Sequence, residues 1–154
     1  MKALTWIKAQ HATITKKYNE ETLKNIDLKC EKELQSSSIA KQIRVLSMSN
    51  PPQVATASDL KELEKLFEET APSFHRQIIQ ITYRGKGLNY VEKNVCMLTK
   101  LNIPSAQISR LLGLADGYTS TLKTRLYKKI TNNIGTAKEF DQLIMSVKEE
   151  LYQK

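Results

Sequence analysis

The sequence predicts an all-α protein, in which an N-terminal helical segment is followed by a helical bundle. Residues 3–48 contain neither glycine nor proline, the two residues that most often interrupt a helix. In the rest of the chain, apolar residues recur at intervals of three and four, and several of these stretches begin with capping residues. Spacing and start signals together indicate helices along most of the chain.

The first segment, residues 1–49, is predicted to form a long helix with a short coiled stretch. Its apolar residues keep a three-four spacing from Leu4 to Tyr18, and the register then shifts to Leu23, Ile26, Cys30 and Leu34. Three serines at 36–38 are expected to break the helix, and a second amphipathic helix starts near Ile39. Such a segment is either an interaction helix or a core helix of one domain.

The second segment, residues 50–87, is predicted to be a linker followed by two connecting helices. Paired prolines and small uncharged residues mark its beginning as linker. Either Thr56 or Ser58 would cap the first helix, and the second would run over residues 73–83. Residues 84–87 are predicted to form a turn. Their Gly-x-Gly has no strand before it and is therefore only a weak signal for phosphate binding.

The third segment, residues 88–154, begins with three helices joined by tight connections, predicted at 89–101, 105–112 and 117–130. Asn89 and Glu92 form a capping-box pattern, Ser105 follows a proline, and Gly113 is a stop signal. A short helix, a glycine-containing turn and a basic helix form the sequence pattern of a helix-turn-helix.

The last helix is expected to start at a capping box formed by Thr136 and Glu139 and to continue to the C-terminus. Its apolar stripe consists of Phe140, Leu143, Ile144, Val147 and Leu151. Packing beneath the helix-turn-helix is the favoured role of this helix, and a dimer contact is the alternative.

The helix predicted at 117–130 is expected to have two different sides. At ~100° per residue, its apolar side consists of Thr119, Leu122, Leu126 and Ile130. The opposite side is small, hydroxylated and cationic, and it consists of Gly117, Thr121, Thr124 and Lys128, flanked by Ser120, Arg125 and Tyr127. Such a side fits a DNA major groove, where hydroxyls reach base edges and cations reach guanine or phosphate. An ordinary amphipathic helix with a solvated side is the simpler alternative.

The positive charge is concentrated in the same part of the chain. The formal net charge is +8, and residues 75–135 contain ten Lys or Arg but only two acidic residues. The segments on either side are close to neutral. Clustered positive charge is the electrostatic footprint of a nucleic-acid binder.

The sequence lacks the usual catalytic and metal-binding patterns. It contains no ligand cluster with metal spacing, nucleophile elbow, Walker loop or paired carboxylates in an apolar setting.

Cys30 and Cys96 are expected to be free thiols, which suits a reducing cytosol. No apolar run approaches the ~20 residues that cross a bilayer. We therefore expect a cytoplasmic protein that is not an enzyme and uses no cofactor or metal.

Residues 88–130 resemble the LuxR/GerE-type helix-turn-helix, a relative of sigma-factor region four. Leu88-Asn89-Tyr90-Val91-Glu92 is similar to the opening Leu-Thr-x-x-Glu of that family, and residues 108–113 and 125–130 resemble its second helix and its ending. Roughly residues 20–145, including Ala71-Pro72-Ser73-Phe74 and the stretch 135–144, resemble the C-terminal cytoplasmic region of Bacteroidetes transcriptional regulators.

The chain departs from the family pattern at three places. Asn102 stands where the family usually has glycine, and Ser109 stands where it has alanine. Tyr118 and Thr119 replace a Thr-Val pair near the start of the recognition helix, so base preference cannot be transferred from the family. Asn102 still suits a tight connection, because asparagine tolerates the left-handed conformation.

The resemblance implies a sequence-specific DNA-binding transcriptional regulator whose partners are double-stranded DNA and RNA polymerase. A homodimer through the N-terminal or C-terminal helix is the expected assembly. The expected DNA-binding residues are Ser105, Gln107, Tyr118, Ser120, Thr121, Lys123, Thr124, Arg125, Lys128 and Lys129. The alternative function is a helical module that binds an acidic protein or RNA polymerase without recognising DNA sequence. RNA binding ranks third, because no aromatic stacking surface is evident.

Overall fold

The computed structural model describes residues 20–80 and 87–149, and within these ranges the protein is all-α, as predicted. The helices are α1 (Glu20–Ser36), α2 (Ser38–Ser47), α3 (Ala57–Thr70), α4 (Pro72–Phe74), α5 (Tyr90–Lys100), α6 (Ser105–Leu111), α7 (Tyr118–Thr131) and α8 (Ala137–Ser146). The apolar stretch predicted from Leu4 to Tyr18 lies outside the described residues. None of the described helices has the length and apolar character to cross a membrane.

The serine break predicted at 36–38 separates α1 from α2. Ser37 lies between them, where its Oγ donates a hydrogen bond to the Leu34 carbonyl at 2.9 Å and accepts one from the Ala40 N–H at 3.2 Å. The hydroxyl therefore ends one helix and caps the next, which is a common use of serine.

Capping boxes begin three of the helices, α3, α5 and α8. At α3, the Thr56 hydroxyl accepts a hydrogen bond from the Asp59 N–H at 3.0 Å, so Thr56 is the cap and Ser58 is not. The boxes predicted at α5 and α8 both form, because each pattern needs contacts only within one helical turn.

The connecting helix predicted at 73–83 has a different form in the structure. The short helix α4 leads into a π-helical turn, His75–Ile79, in which the Gln80 N–H bonds the His75 carbonyl at 2.9 Å. A π-helical turn inserts one extra residue per turn and rotates the following side chains. The rest of the predicted helix and most of the turn at 84–87 lie outside the described residues.

The prediction that the last helix continues to the C-terminus is wrong. Helix α8 ends at Ser146, and Val147 has extended backbone angles. Residues 147–149, here called the strap, leave the helix because tertiary contacts replace the helical ones: the Glu149 carboxylate accepts hydrogen bonds from the Ser73 and Phe74 N–H groups at 2.8 and 2.9 Å. Leu151, predicted to extend the apolar stripe, lies outside the described residues.

Residues of all three sequence segments contribute to one hydrophobic core. Its fully buried members include Ile43, Leu63, Phe67, Phe74, Leu98, Leu126, Phe140 and Ile144. A polar contact also joins the first and third segments, since Arg44 Nη2 donates to the Leu101 carbonyl at 2.8 Å. Helix α8 packs against α7, as expected, and this contact fixes the side of α7 that faces solvent.

Candidate nucleic-acid interface

Helices α5, α6 and α7 are joined by two tight turns. In the first, Asn102 has a φ of 66°, so the left-handed conformation expected for this asparagine is confirmed. In the second, Gly117 precedes α7 with a φ of 79°, a conformation that glycine adopts without steric cost. The turns allow α6 and α7 to pack against each other and against α5.

A buried hydrogen bond fixes α6 relative to α7. The hydroxyls of Ser109 and Thr119 lie 2.6 Å apart, and both residues are buried. Each hydroxyl therefore satisfies the other inside the protein, although the sequence places the two residues on different helices.

The predicted apolar side of α7 is confirmed. Its four members, Thr119, Leu122, Leu126 and Ile130, are all buried. On the other side, Ser120, Thr121, Arg125 and Lys128 are exposed, whereas Thr124 is half-buried and donates its hydroxyl proton to the Thr121 carbonyl at 2.7 Å. Here these five residues are called the outer face of α7.

Lys123 does not belong to the outer face, and its predicted contact with DNA phosphate is wrong. Its side chain is only 2% exposed, and its Nζ lies 2.7 Å from Asp141 Oδ1 of α8. Lys123 follows the buried Thr119 by one helical turn, which places it on the same side of α7. The lysine therefore connects α7 to α8 and cannot reach a ligand in solvent.

Lys129 is half-buried and already paired. Its Nζ lies 2.8 Å from Glu92 Oε1, the same oxygen that accepts the Asn89 N–H at the start of α5. The capping carboxylate thus also connects α5 to the C-terminal end of α7. A phosphate contact by Lys129 would compete with this ion pair.

Arg125 is held by an aromatic side chain at the beginning of the same helix. Its Nη1 lies 3.3 Å from the Tyr118 hydroxyl, and its guanidinium carbon lies 5.9 Å from the centre of the Tyr118 ring. Both side chains are exposed. This distance is within the range of a cation–π contact.

The two residues predicted on α6, Ser105 and Gln107, are half-buried near its beginning. Pro104 precedes the helix, and no side chain caps its first N–H groups. Arg110, which was not among the predicted contacts, is exposed near the end of α6 and has no ion-pair partner among the described residues. The sequence did carry a signal for Arg110, because this arginine lies within the segment that holds the excess positive charge.

A shallow depression of about 430 Å³ lies at the C-terminal part of the outer face. It is lined by Thr124, Arg125, Lys128, Lys129, Ile134 and Gly135. Ile134 is 88% exposed in the turn between α7 and α8. Gly135 lies flat against the Tyr127 ring, where a Cβ would come within 2.4 Å of two ring carbons. The turn is thereby held against α7, and an apolar side chain stands beside the cations.

One group of potential metal ligands occurs within the described ranges. The ligand atoms of Glu64, Glu68 and His75 lie within 4.8 Å of one another. Glu64 Oε2 is already 3.1 Å from His75 Nε2 and 3.9 Å from Lys93 Nζ. This carboxylate is therefore already hydrogen-bonded to His75 and lies near the Lys93 ammonium group.

The two cysteines are buried and unpaired, as predicted for Cys96. Burial raises the pKa of the Cys30 thiol to about 11, and nearby carboxylates act in the same direction. Burial also raises the pKa of Cys96 far above its ordinary value. Neither sulfur has the thiolate character that nucleophilic chemistry requires.

Comparison with known proteins gives no match among protein-family models, curated proteins or solved structures. Function is therefore inferred from the geometry and chemistry of the site itself.

Proposed function

We propose that this protein is a sequence-specific DNA-binding transcriptional regulator that acts through a LuxR-like helix-turn-helix formed by α6 and α7. The observation that supports this proposal best is the outer face of α7. It combines hydroxyls with two exposed cations, Arg125 and Lys128, on a helix whose other side is buried. A helix of this kind can approach the floor of a major groove without deforming the protein.

In this proposal the residues of the outer face have different roles. The hydroxyls of Ser120 and Thr121 are within reach of base edges, because neither residue is buried. Arg125 contacts a base, and Lys128, nearer the end of the helix, contacts a phosphate. Base contacts would select the sequence, whereas phosphate contacts would supply affinity and fix the position of the protein.

Helix α6 would lie across the sugar-phosphate backbone, with Ser105 and Gln107 near phosphate. Arg110, exposed on the same helix, adds a third cation that has no carboxylate partner among the described residues. Arg125, Lys128 and Arg110 would thus bring three cations of α6 and α7 to the duplex. Because Lys123 is buried, its contribution is excluded from this number.

The salt dependence of duplex binding tests the proposal. Three cations that neutralise phosphate charge predict a slope of about −3 in a plot of log affinity against log salt concentration. The measurement is a fluorescence-anisotropy titration of a labelled mixed-sequence duplex at several salt concentrations. Lys128→Ala should bring the slope about one closer to zero, whereas Lys65→Ala, an exposed cation on α3, should leave it unchanged. A slope near zero for the unsubstituted protein would contradict the proposal.

A regulator of this kind would act in the cytoplasm, where bacterial DNA and RNA polymerase are found. A homodimer through the N-terminal or C-terminal helix would place two α7 helices on half-sites about 34 Å apart. The apolar stripe of α8 is buried in the core of one chain, so only the opposite side of that helix could contact a second copy.

The second candidate function is a helical module that binds an acidic protein, such as a surface of RNA polymerase, without recognising DNA sequence. The observation that favours it is Ile134, an 88% exposed apolar residue beside Arg125 and Lys128. An acidic helix with one apolar residue would fit this combination. This function predicts tight binding of an acidic peptide and equal affinity for all duplexes.

A further inference from the structure

Tyr118, the first residue of α7, contacts Arg125 of the outer face. The two residues are seven positions apart, which corresponds to about 10 Å along the helix axis. Long side chains on a helix point toward its N-terminus. The Arg125 side chain therefore extends back along α7 toward the first turn, where it contacts the side chain of Tyr118.

The first turn is the part of a recognition helix that contacts base edges most closely. Two other cations of α7, Lys123 and Lys129, are paired with carboxylates of neighbouring helices, and Lys128 lies three residues beyond Arg125. Among the described residues of α7, Arg125 is thus the cation whose charged group is brought to the first turn.

The contact with Tyr118 leaves part of the guanidinium group available. The Tyr118 hydroxyl accepts a hydrogen bond from Nη1, and the centre of its ring lies 5.9 Å from the guanidinium carbon. Arg125 is exposed, so the N–H groups that do not contact Tyr118 can donate two hydrogen bonds and a face of the guanidinium group is open to a ligand. Two parallel donors match the O6 and N7 acceptors of guanine, and the apolar group that the major groove offers beside a base is the thymine methyl.

We propose that Tyr118 and Arg125 act as one unit that recognises a guanine next to a thymine. Arg125 donates to O6 and N7 of the guanine, and the thymine methyl packs against the open face of the guanidinium group. Tyr118 is a positioning residue that holds the guanidinium in place before DNA arrives, which lowers the entropy lost on binding. This inference rests on the proposed DNA-binding function and names the sequence that the same site recognises.

The test begins with selection of bound duplexes from a random pool, followed by chemical changes to single bases in the selected duplex. Replacing the guanine with 7-deazaguanine removes N7, and replacing the neighbouring thymine with uracil removes only the methyl group. We expect the first change to weaken binding by about tenfold, as for loss of a bidentate contact, and the second by roughly threefold.

Protein variants then separate the role of Tyr118 from the role of charge. Arg125→Lys keeps the charge but lacks the planar group, so it should lose discrimination against 7-deazaguanine while keeping its affinity for unselected duplexes. Tyr118→Ala should lose most of the same discrimination, whereas Tyr118→Phe, which keeps the ring but not the hydroxyl that accepts the Nη1 hydrogen bond, should lose only part of it. Lys128→Ala is the matched control, an exposed cation of the same face, and should weaken binding of both duplexes equally. These side chains are exposed, and circular dichroism confirms that each variant is folded.

The possible failures are distinguishable. Selection that enriches no duplex would contradict the proposed function and this inference together. Two results would overturn the Tyr118–Arg125 unit and leave the DNA-binding function in place. One is a Tyr118→Ala variant that still discriminates against 7-deazaguanine as the unsubstituted protein does. The other is an affinity for the selected duplex that does not change when uracil replaces the thymine.

Discussion

The three lysines of α7 have different environments although they lie within about two helical turns. Lys123 is buried against Asp141, Lys129 is half-buried against Glu92, and Lys128 is exposed. Their positions around the helix axis decide which of them can contact a ligand. The net positive charge of residues 75–135 therefore overstates the number of cations that can bind DNA, because some of these cations are already paired with carboxylates within the fold.

Removal of Asp141 should destabilise the protein, because it leaves the Lys123 ammonium group buried without its carboxylate. Breaking a buried pair costs about 3–5 kcal/mol, and we expect about 2 kcal/mol for Asp141→Ala, since Asp141 is half-exposed and water can replace part of the contact. The measurement is the free energy of unfolding in urea at pH 7. Glu69→Ala, an exposed acid on α3, is the control and should cost less than about 0.5 kcal/mol. Equal losses in the two variants would show that the Lys123–Asp141 pair contributes nothing.

The helices divide into those whose ends are set by local sequence and those whose ends depend on distant residues. The capping boxes at α5 and α8 could be predicted, because each involves two residues three positions apart. The buried position of Lys123 could also have been found, since it follows Thr119 by one turn. Its partner could not, because Asp141 reaches it through the packing of α8 on α7.

The end of α8 and the π-helical turn were not predictable from local patterns. The apolar spacing continues past Ser146, and no glycine or proline stands there. The helix ends because Glu149 bonds the N–H groups of Ser73 and Phe74, which are more than seventy residues away in sequence. Similarly, the pairing of Lys129 with Glu92 joins two helices whose packing no sequence spacing specifies.

The choice between Thr56 and Ser58 as the cap of α3 gives a direct prediction. Thr56 accepts the Asp59 N–H, whereas Ser58 is already within the helix and exposed. Thr56→Ala should therefore lower the free energy of unfolding by about 1 kcal/mol, the usual effect of a lost N-cap. Ser58→Ala, the matched control, should change it by less than about 0.5 kcal/mol or increase it, because alanine favours helix. A larger loss for Ser58→Ala would contradict the observed start of α3.

At the scale of the whole molecule, the strap connects the C-terminal end of α8 to helices from each sequence segment. The Glu149 carboxylate accepts hydrogen bonds at the beginning of α4, and the backbone N–H of Glu149 donates to Asp27 of α1 at 2.9 Å. Lys100 of α5 donates to the Val147 carbonyl at 2.9 Å. These contacts join α1 to the part of the protein that contains α7. The orientation of α1 relative to the proposed DNA-binding face is therefore set partly by three residues of the strap.

The ionisation of Glu149 should make the strap sensitive to pH. Burial raises the pKa of Glu149 above its usual 4.5, although hydrogen bonds from Ser73 and Phe74 and the charge of Lys100 oppose this shift. Because the pKa is higher in the folded state, the stability due to Glu149 is fully present below about pH 4.5 and is lost as the pH rises through the raised pKa.

Glu149→Gln tests this linkage, because glutamine does not ionise. We expect the free energy of unfolding of the unsubstituted protein, minus that of the variant, to decrease as the pH rises from 4 to 7. Urea denaturation of both proteins at one-unit pH intervals gives this difference directly, and the titration of all other groups cancels. A difference that increases with pH would mean that the carboxylate is stabilised, not penalised, by its surroundings.

The proposed binding of duplex DNA by the outer face of α7 can be tested most directly by NMR. The ¹⁵N-labelled protein is titrated with a selected duplex, and the amide chemical shifts are recorded at each step. We predict the largest changes at Ser120, Thr121, Thr124, Arg125 and Lys128, with smaller changes along α6 and none beyond noise at Lys65 or Glu69 of α3. Changes concentrated on α1–α3, or no change at any duplex concentration, would contradict the account.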